Sequence, residues 1–104
     1  MQVIYLNSVD KFIDTLSKKD EAIVSRLISA LDHNENRLGM PISKSLGDGL
    51  FELRAPESQV RIFYCFYNNS ACLLHAILKK SNRIPLRDIQ YARGLKRLLH
   101  QDNI

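Results

Sequence analysis

Hydrophobic positions keep a helical period near the two ends of this chain and crowd into strand-like runs in its middle. Residues 2–6, with Val3, Ile4, Tyr5 and Leu6, predict a short first strand. Asn7-Ser8 then offers a helix N-cap, and Val9, Phe12, Ile13 and Leu16 follow at helical spacing. A second helix is expected after Ser17, whose spacing to Asp20 is that of a capping box. Its stripe of Ile23, Val24, Leu27, Ile28 and Leu31 is broad enough to face a core. Gly39 should stop this helix and Pro41 should prevent its resumption.

The stretch from Leu46 to Lys80 organises the rest. Apolar, β-favouring runs at 50–55, 60–67 and 71–78 are bounded by Gly47-Asp48-Gly49, Pro56-Glu57-Ser58 and Asn68-Asn69-Ser70. They predict a three-stranded antiparallel meander, the smallest sheet that can carry a hydrophobic face. Pro85 is placed to open a third helix with Leu86, Ile89, Ala92, Leu95 and Leu99 on one side. Arg87, Arg93, Lys96 and Arg97 lie on the other. The predicted order is β-α-α-β-β-β-α, an α+β fold with two helices on one sheet face and the last helix at the sheet edge.

Composition narrows the class. A chain of 104 residues, 45% hydrophobic and 25% charged, is expected to form one globular domain, 1–104, rather than a disordered segment. A net charge of +4 and a pI near 9.3 lean towards a polyanionic partner. No apolar run approaches the ~18 residues of a membrane span, and the acidic Asp10 and Asp14 argue against a signal peptide, so a cytoplasmic location is expected. Cys65 and Cys72 flank the Asn68-Asn69 turn. A two-residue loop sets them face to face and a three-residue loop separates them, and in a reducing compartment both are expected to be free thiols. No CxxC motif or spaced Cys/His cluster suggests a metal site, and no cofactor is expected.

Charge inside strands needs a reason, because an unpaired buried cation is costly. Glu52, Arg54 and Arg61 interrupt the apolar runs, and Lys79-Lys80 closes the last one. If residues 55–58 form the loop, Glu52 stands opposite Arg61 with Arg54 on the same face. That arrangement is either a paired structural surface or a face built to hold phosphate, for which the planar guanidinium fork is suited. His75 is the natural acid–base candidate. Its apolar setting (Leu73-Leu74-His75-Ala76-Ile77) suits a core histidine equally well. Under a two-residue Asn turn His75 falls on the face opposite Arg61; under a three-residue turn it joins Arg61 and Lys79. Tyr64 and Tyr91 are further candidates.

These residues also carry a resemblance. Lys44-x-Leu46-x-x-Gly49-Leu50-Phe51-Glu52-Leu53-Arg54 resembles the core motif of HigB/RelE-type toxins of the phage-derived branch. Arg61-Ile62-Phe63-Tyr64, Leu73-Leu74-His75 and Lys79-Lys80 followed by Pro85 continue it in order, over residues 44–92. Ile84-Pro85-Leu86 and the cysteine pair depart from the pattern. The resemblance implies a RelE-like fold and a ribosome-dependent, metal-independent mRNA endoribonuclease. It also implies a cognate antitoxin partner, often a helix-turn-helix repressor. On that reading Arg54, Arg61, Lys79 and His75 are the expected catalytic residues, Lys80, Lys44 and Arg83 the RNA contacts, and Glu52 an orienting group. A gyrase inhibitor of the ParE type and a non-catalytic binding protein of phage origin are the alternatives.

Overall fold

The computed structural model describes residues 2–34, 38–39 and 42–101. Its elements are β1 (Gln2–Tyr5), α1 (Asn7–Asp14), α2 (Lys18–Asn34), β2 (Ser43–Gly47), β3 (Leu50–Arg54), β4 (Val60–Tyr67), β5 (Ser70–Leu78) and α3 (Leu86–Gln101). The five strands form one sheet in the order β1-β5-β4-β3-β2, antiparallel except for β1 against β5. The meander expected from the sequence is its centre.

One strand goes beyond the expected order. β2 pairs antiparallel with β3 and sets Lys44 opposite Glu52. Its sequence, SKSLG, lacks the apolar run that marks its neighbours, because an edge strand needs backbone partners more than side-chain burial. Gly47-Asp48-Gly49 is therefore the turn of a hairpin, with positive φ at all three residues, a conformation glycine adopts at no steric cost.

The sheet is covered on both faces. Val9 of α1 and Val24 and Leu31 of α2 pack with Leu53, Ile62, Tyr64 and Leu73 on one side. Ala92 of α3 packs with Leu50, Phe63, Cys65, Cys72 and Leu74 on the other, joined by Ile89, Leu95 and Leu99. The last helix thus lies across the second face and not at the sheet edge. The physical reason is legible in β4 and β5: near-continuous apolar strands bury both faces, so both need a cover. Leu86, assigned to the apolar side of this helix, is instead exposed at 66%.

The helix ends differ in detail from the expected ones. Leu6, not Asn7 or Ser8, occupies the N-cap of α1 without a side-chain bond, while its own N–H donates to Leu73 O at 3.2 Å and extends the sheet register. Ser17 does cap α2, its Oγ accepting the Asp20 N–H at 3.2 Å. The Asp20 carboxylate takes up a tertiary bond, accepting from Ser58 Oγ at 2.9 Å. Ile23, Val24, Leu27 and Leu31 are buried as their stripe implies. α2 is described as far as Asn34, Gly39 is not helical, and residues 35–37 and Pro41 lie outside the described residues. Pro85 sits just ahead of α3, its carbonyl accepting from Asp88 N–H at 3.0 Å, and Gly94 does not interrupt the helix.

Candidate functional site

The strand register decides which charges meet. Arg54 stands directly opposite Arg61, and Glu52 opposite Phe63, so the loop between β3 and β4 is longer than residues 55–58. Two cations directly opposed across a ladder repel; Glu52 offsets this from the diagonal position. Its Oε1 lies 3.8 Å from an Arg54 Nη and its Oε2 lies 3.6 Å from Arg61 Nε. Only 2% of Glu52 is exposed, so a buried carboxylate sits beneath two guanidinium groups and leaves a net positive charge. Neither Glu52 Oε2 nor Arg61 Nε has a hydrogen-bond partner among the described residues, because 3.6 Å exceeds hydrogen-bond length.

Arg61 is held by its backbone neighbours. Its Nη1 donates to Ser58 O at 2.8 Å and to Val60 O at 2.9 Å. Burial lowers its pKa below the ordinary value, Glu52 raises it and Arg54 lowers it further. A guanidinium so placed remains charged and would be relieved by an additional anion.

Such an anion has room. A cleft of about 340 Å³ lies between the 56–59 loop and residues 79–82, with Arg61, Lys79 and Lys80 in its lining. A smaller hollow of about 180 Å³ adjoins Arg54, Ala55, Pro56 and Arg61. The Lys79 N–H donates to Gln59 O at 2.7 Å and ties the end of β5 to the loop. Arg54, Arg61, Lys79 and Lys80 therefore gather at one end of the sheet. Lys44 lies exposed on the neighbouring edge strand, opposite Glu52. Arg83 is exposed one residue past the cleft lining, where its N–H and carbonyl both bond Ser81 Oγ.

His75 reaches the Arg61 face by a route that neither expected register contains. The Asn68-Asn69 loop has two residues, both at positive φ, so Cys65 pairs with Cys72. The register then shifts: Tyr64 pairs with Leu73 but Phe63 pairs with His75. Leu74 is the extra residue of a β-bulge, and the bulge turns His75 onto the face of Phe63 and Arg61. There its ring stacks on Phe63, with centroids 5.8 Å apart, and meets Tyr91 edge-on at 4.9 Å. Its Nε2–H donates to Asp88 Oδ1 at 2.8 Å. Tyr64 points to the opposite face, buried, with its hydroxyl 2.6 Å from Ser43 Oγ, and is core.

Two contributors escaped the sequence reading. Asp88, in the first turn of α3, is the partner of His75; an acidic residue just after Pro85 was the available signal. Arg93, read there as part of a basic helix face, clamps α3 to the β2–β3 turn through Leu46 O at 2.6 Å and Gly47 O at 2.9 Å. Among the described residues no cluster of His, Cys, Asp and Glu could hold a metal ion.

The family model described as Phage derived protein Gp49-like (DUF891) matches residues 11–97. The chain belongs to that family. Among solved structures, the isolated E. coli RelE toxin superposes with a TM-score of 0.60 at 15% identity, over 94% of this chain and 98% of that one. At that identity the likeness establishes the RelE fold. The resemblance read from the motifs around Glu52 and Arg61 is borne out as far as a phage-derived family and a RelE-like fold. No curated protein matches the chain in sequence.

Proposed function

We propose that this Gp49-like protein is the toxin of a toxin–antitoxin pair, of the HigB-like kind, and cleaves mRNA on the ribosome. The observation that carries the reading is the convergence of Arg54, Arg61, Lys79 and Lys80 around one open cleft, over a buried Glu52. Fold likeness to RelE and family membership support it.

Cleavage without metal follows from these residues. The ribose 2′-hydroxyl attacks the adjacent phosphate, and a pentacoordinate phosphorane gathers negative charge. Arg61 and Arg54 engage its oxygens, while Lys79 and Lys80 act as point charges on the flanking backbone. Stabilisation of developing charge by groups already in place is often the largest catalytic contribution. Glu52 keeps both guanidinium groups gathered before RNA arrives. Lys44 and Arg83 extend the basic surface along the strand, and His75 handles a proton. An antitoxin, a helix-turn-helix repressor, covers the same cations. The site of action is the cytoplasm; in the structure, no helix among the described residues is long and apolar enough to cross a membrane.

Mapping transcript ends shortly after induction tests the reading. Cuts confined to translated frames and lost in Arg61→Ala are expected. Intact messages with blocked DNA supercoiling would instead identify a gyrase inhibitor.

A further inference from the structure

Outside the cation cluster, one pair of titratable groups is held in a geometry that packing alone does not require. His75 could have filled its place as an apolar residue. Instead the β5 bulge turns it onto the Arg61 face, Phe63 and Tyr91 fix its ring plane, and Asp88 fixes its rotation through a 2.8 Å bond. A carboxylate oxygen accepts, so Nε2 carries the proton in the neutral ring, and the lone pair is left on Nδ1. Nδ1 has no hydrogen-bond partner among the described residues, and one-fifth of the side chain remains exposed. Arg61 pairs with Ile77 while His75 pairs with Phe63, which makes Arg61 and His75 diagonal neighbours on one face. The backbone positions of such neighbours lie about 7–8 Å apart, so the two side chains extend from adjoining positions of one face.

We infer that His75 Nδ1 is the general base of the cleavage reaction and that Asp88 is the residue that positions it. The inference rests on the nuclease reading above and adds an acid–base unit to it. In the step, Nδ1 takes the proton of the 2′-hydroxyl, the 2′ oxygen forms its bond to phosphorus, and the bond from phosphorus to the 5′ oxygen breaks. The 5′ oxygen leaves with a proton from solvent at the open cleft, and the products are a 2′,3′-cyclic phosphate and a free 5′-hydroxyl. The proton on Nδ1 then returns to solvent. Asp88 holds the productive tautomer and faces the positive charge that forms on the ring, as the third member of a nucleophile–base–carboxylate array does. Asp88 also lies in the first turn of α3, and Arg87 Nε stands 4.0 Å from its second oxygen, on the solvent side. The carboxylate is thereby set by the helix start and not by the cation cluster.

Two measurements on the full-length protein test this. Nitrogen-15 NMR of the isolated protein should show neutral His75 protonated at Nε2, and Asp88→Ala should let the other tautomer appear. A wild-type ring protonated at Nδ1 overturns the inference. On translating ribosomes, single-turnover cleavage by His75→Gln should fall by ~10²–10⁴-fold, the usual range for lost general-base assistance. Asp88→Asn should lose rate at saturation with little change in half-saturating ribosome concentration, and Asp88→Glu should recover part of it. Folding of each variant is read from its melt. A folded Asp88→Asn protein that cleaves at the wild-type rate overturns the dyad while leaving the nuclease reading intact. Wild-type protein that cuts no translated RNA overturns both.

Discussion

Arg61 carries structural obligations besides its place in the candidate site. Its guanidinium bonds two backbone carbonyls, faces a buried carboxylate and stands opposite a second arginine. Removing it leaves Glu52 under a single cation, and a buried charge that loses a partner costs roughly 3–5 kcal/mol. Arg61→Ala should therefore lower the melting temperature as well as abolish growth inhibition. Adding Glu52→Gln to Arg61→Ala removes the orphaned charge and should restore most of the melting temperature but none of the toxicity. Arg61→Lys should recover toxicity only in part, since an ammonium lacks the bidentate fork. If the Arg61→Ala/Glu52→Gln protein regained toxicity along with stability, the arginine would be serving the fold alone. The cysteines behave as the opposite kind of residue. Burial first, then the neighbouring Cys72, pushes the Cys65 thiol up to about 11, with Lys96 opposing. A raised pKa in the folded state contributes stability that is present below the unfolded value and lost as pH rises towards about 11. Thermal melts should therefore fall in that window, and less steeply in Cys65→Ala. Alkylation at pH 8 should leave Cys65 unmodified until the protein unfolds.

At the scale of elements, the chain announced its central hairpins and its helices clearly. Asn68-Asn69 specified a tight turn because asparagine tolerates positive φ, and the stripe from Ile23 to Leu31 specified a core-facing helix. What could not be read was register. A bulge adds one residue without any signature in hydrophobicity, and here it moves His75 from the face opposite Arg61 to the face beside it. The longer β3–β4 loop likewise exchanged an expected Glu52–Arg61 pairing for a diagonal one. β2 was silent for a related reason, since edge pairing is made by backbone groups that every residue owns. The charged residues of the candidate site were thus visible in the sequence, and their mutual geometry was not. Leu27, 2% exposed among Ile23 and Ala55, tests the helix packing. Leu27→Ala should cost roughly 2–5 kcal/mol, measured by thermal or denaturant melts. An unchanged melt would mean that the stripe is not core.

For the molecule as a whole, three layers hold the cation cluster where none of the described helices covers it. α3 shields the Cys65–Cys72 end of the sheet, and the opposite end, with Arg54, Arg61, Lys79 and Lys80, stays open. Self-repelling charge left open over a buried carboxylate is poorly suited to stability alone and well suited to a polyanion. The central claim is that this end of the sheet cleaves translated RNA. Its most direct measurement is the position of transcript ends after brief induction of the wild-type protein and of the Arg61→Ala/Glu52→Gln protein at matched levels. New ends within translated frames are expected for the wild type and none for the variant. Equal cutting by both proteins, or intact messages in cells whose growth the wild type arrests, would contradict it.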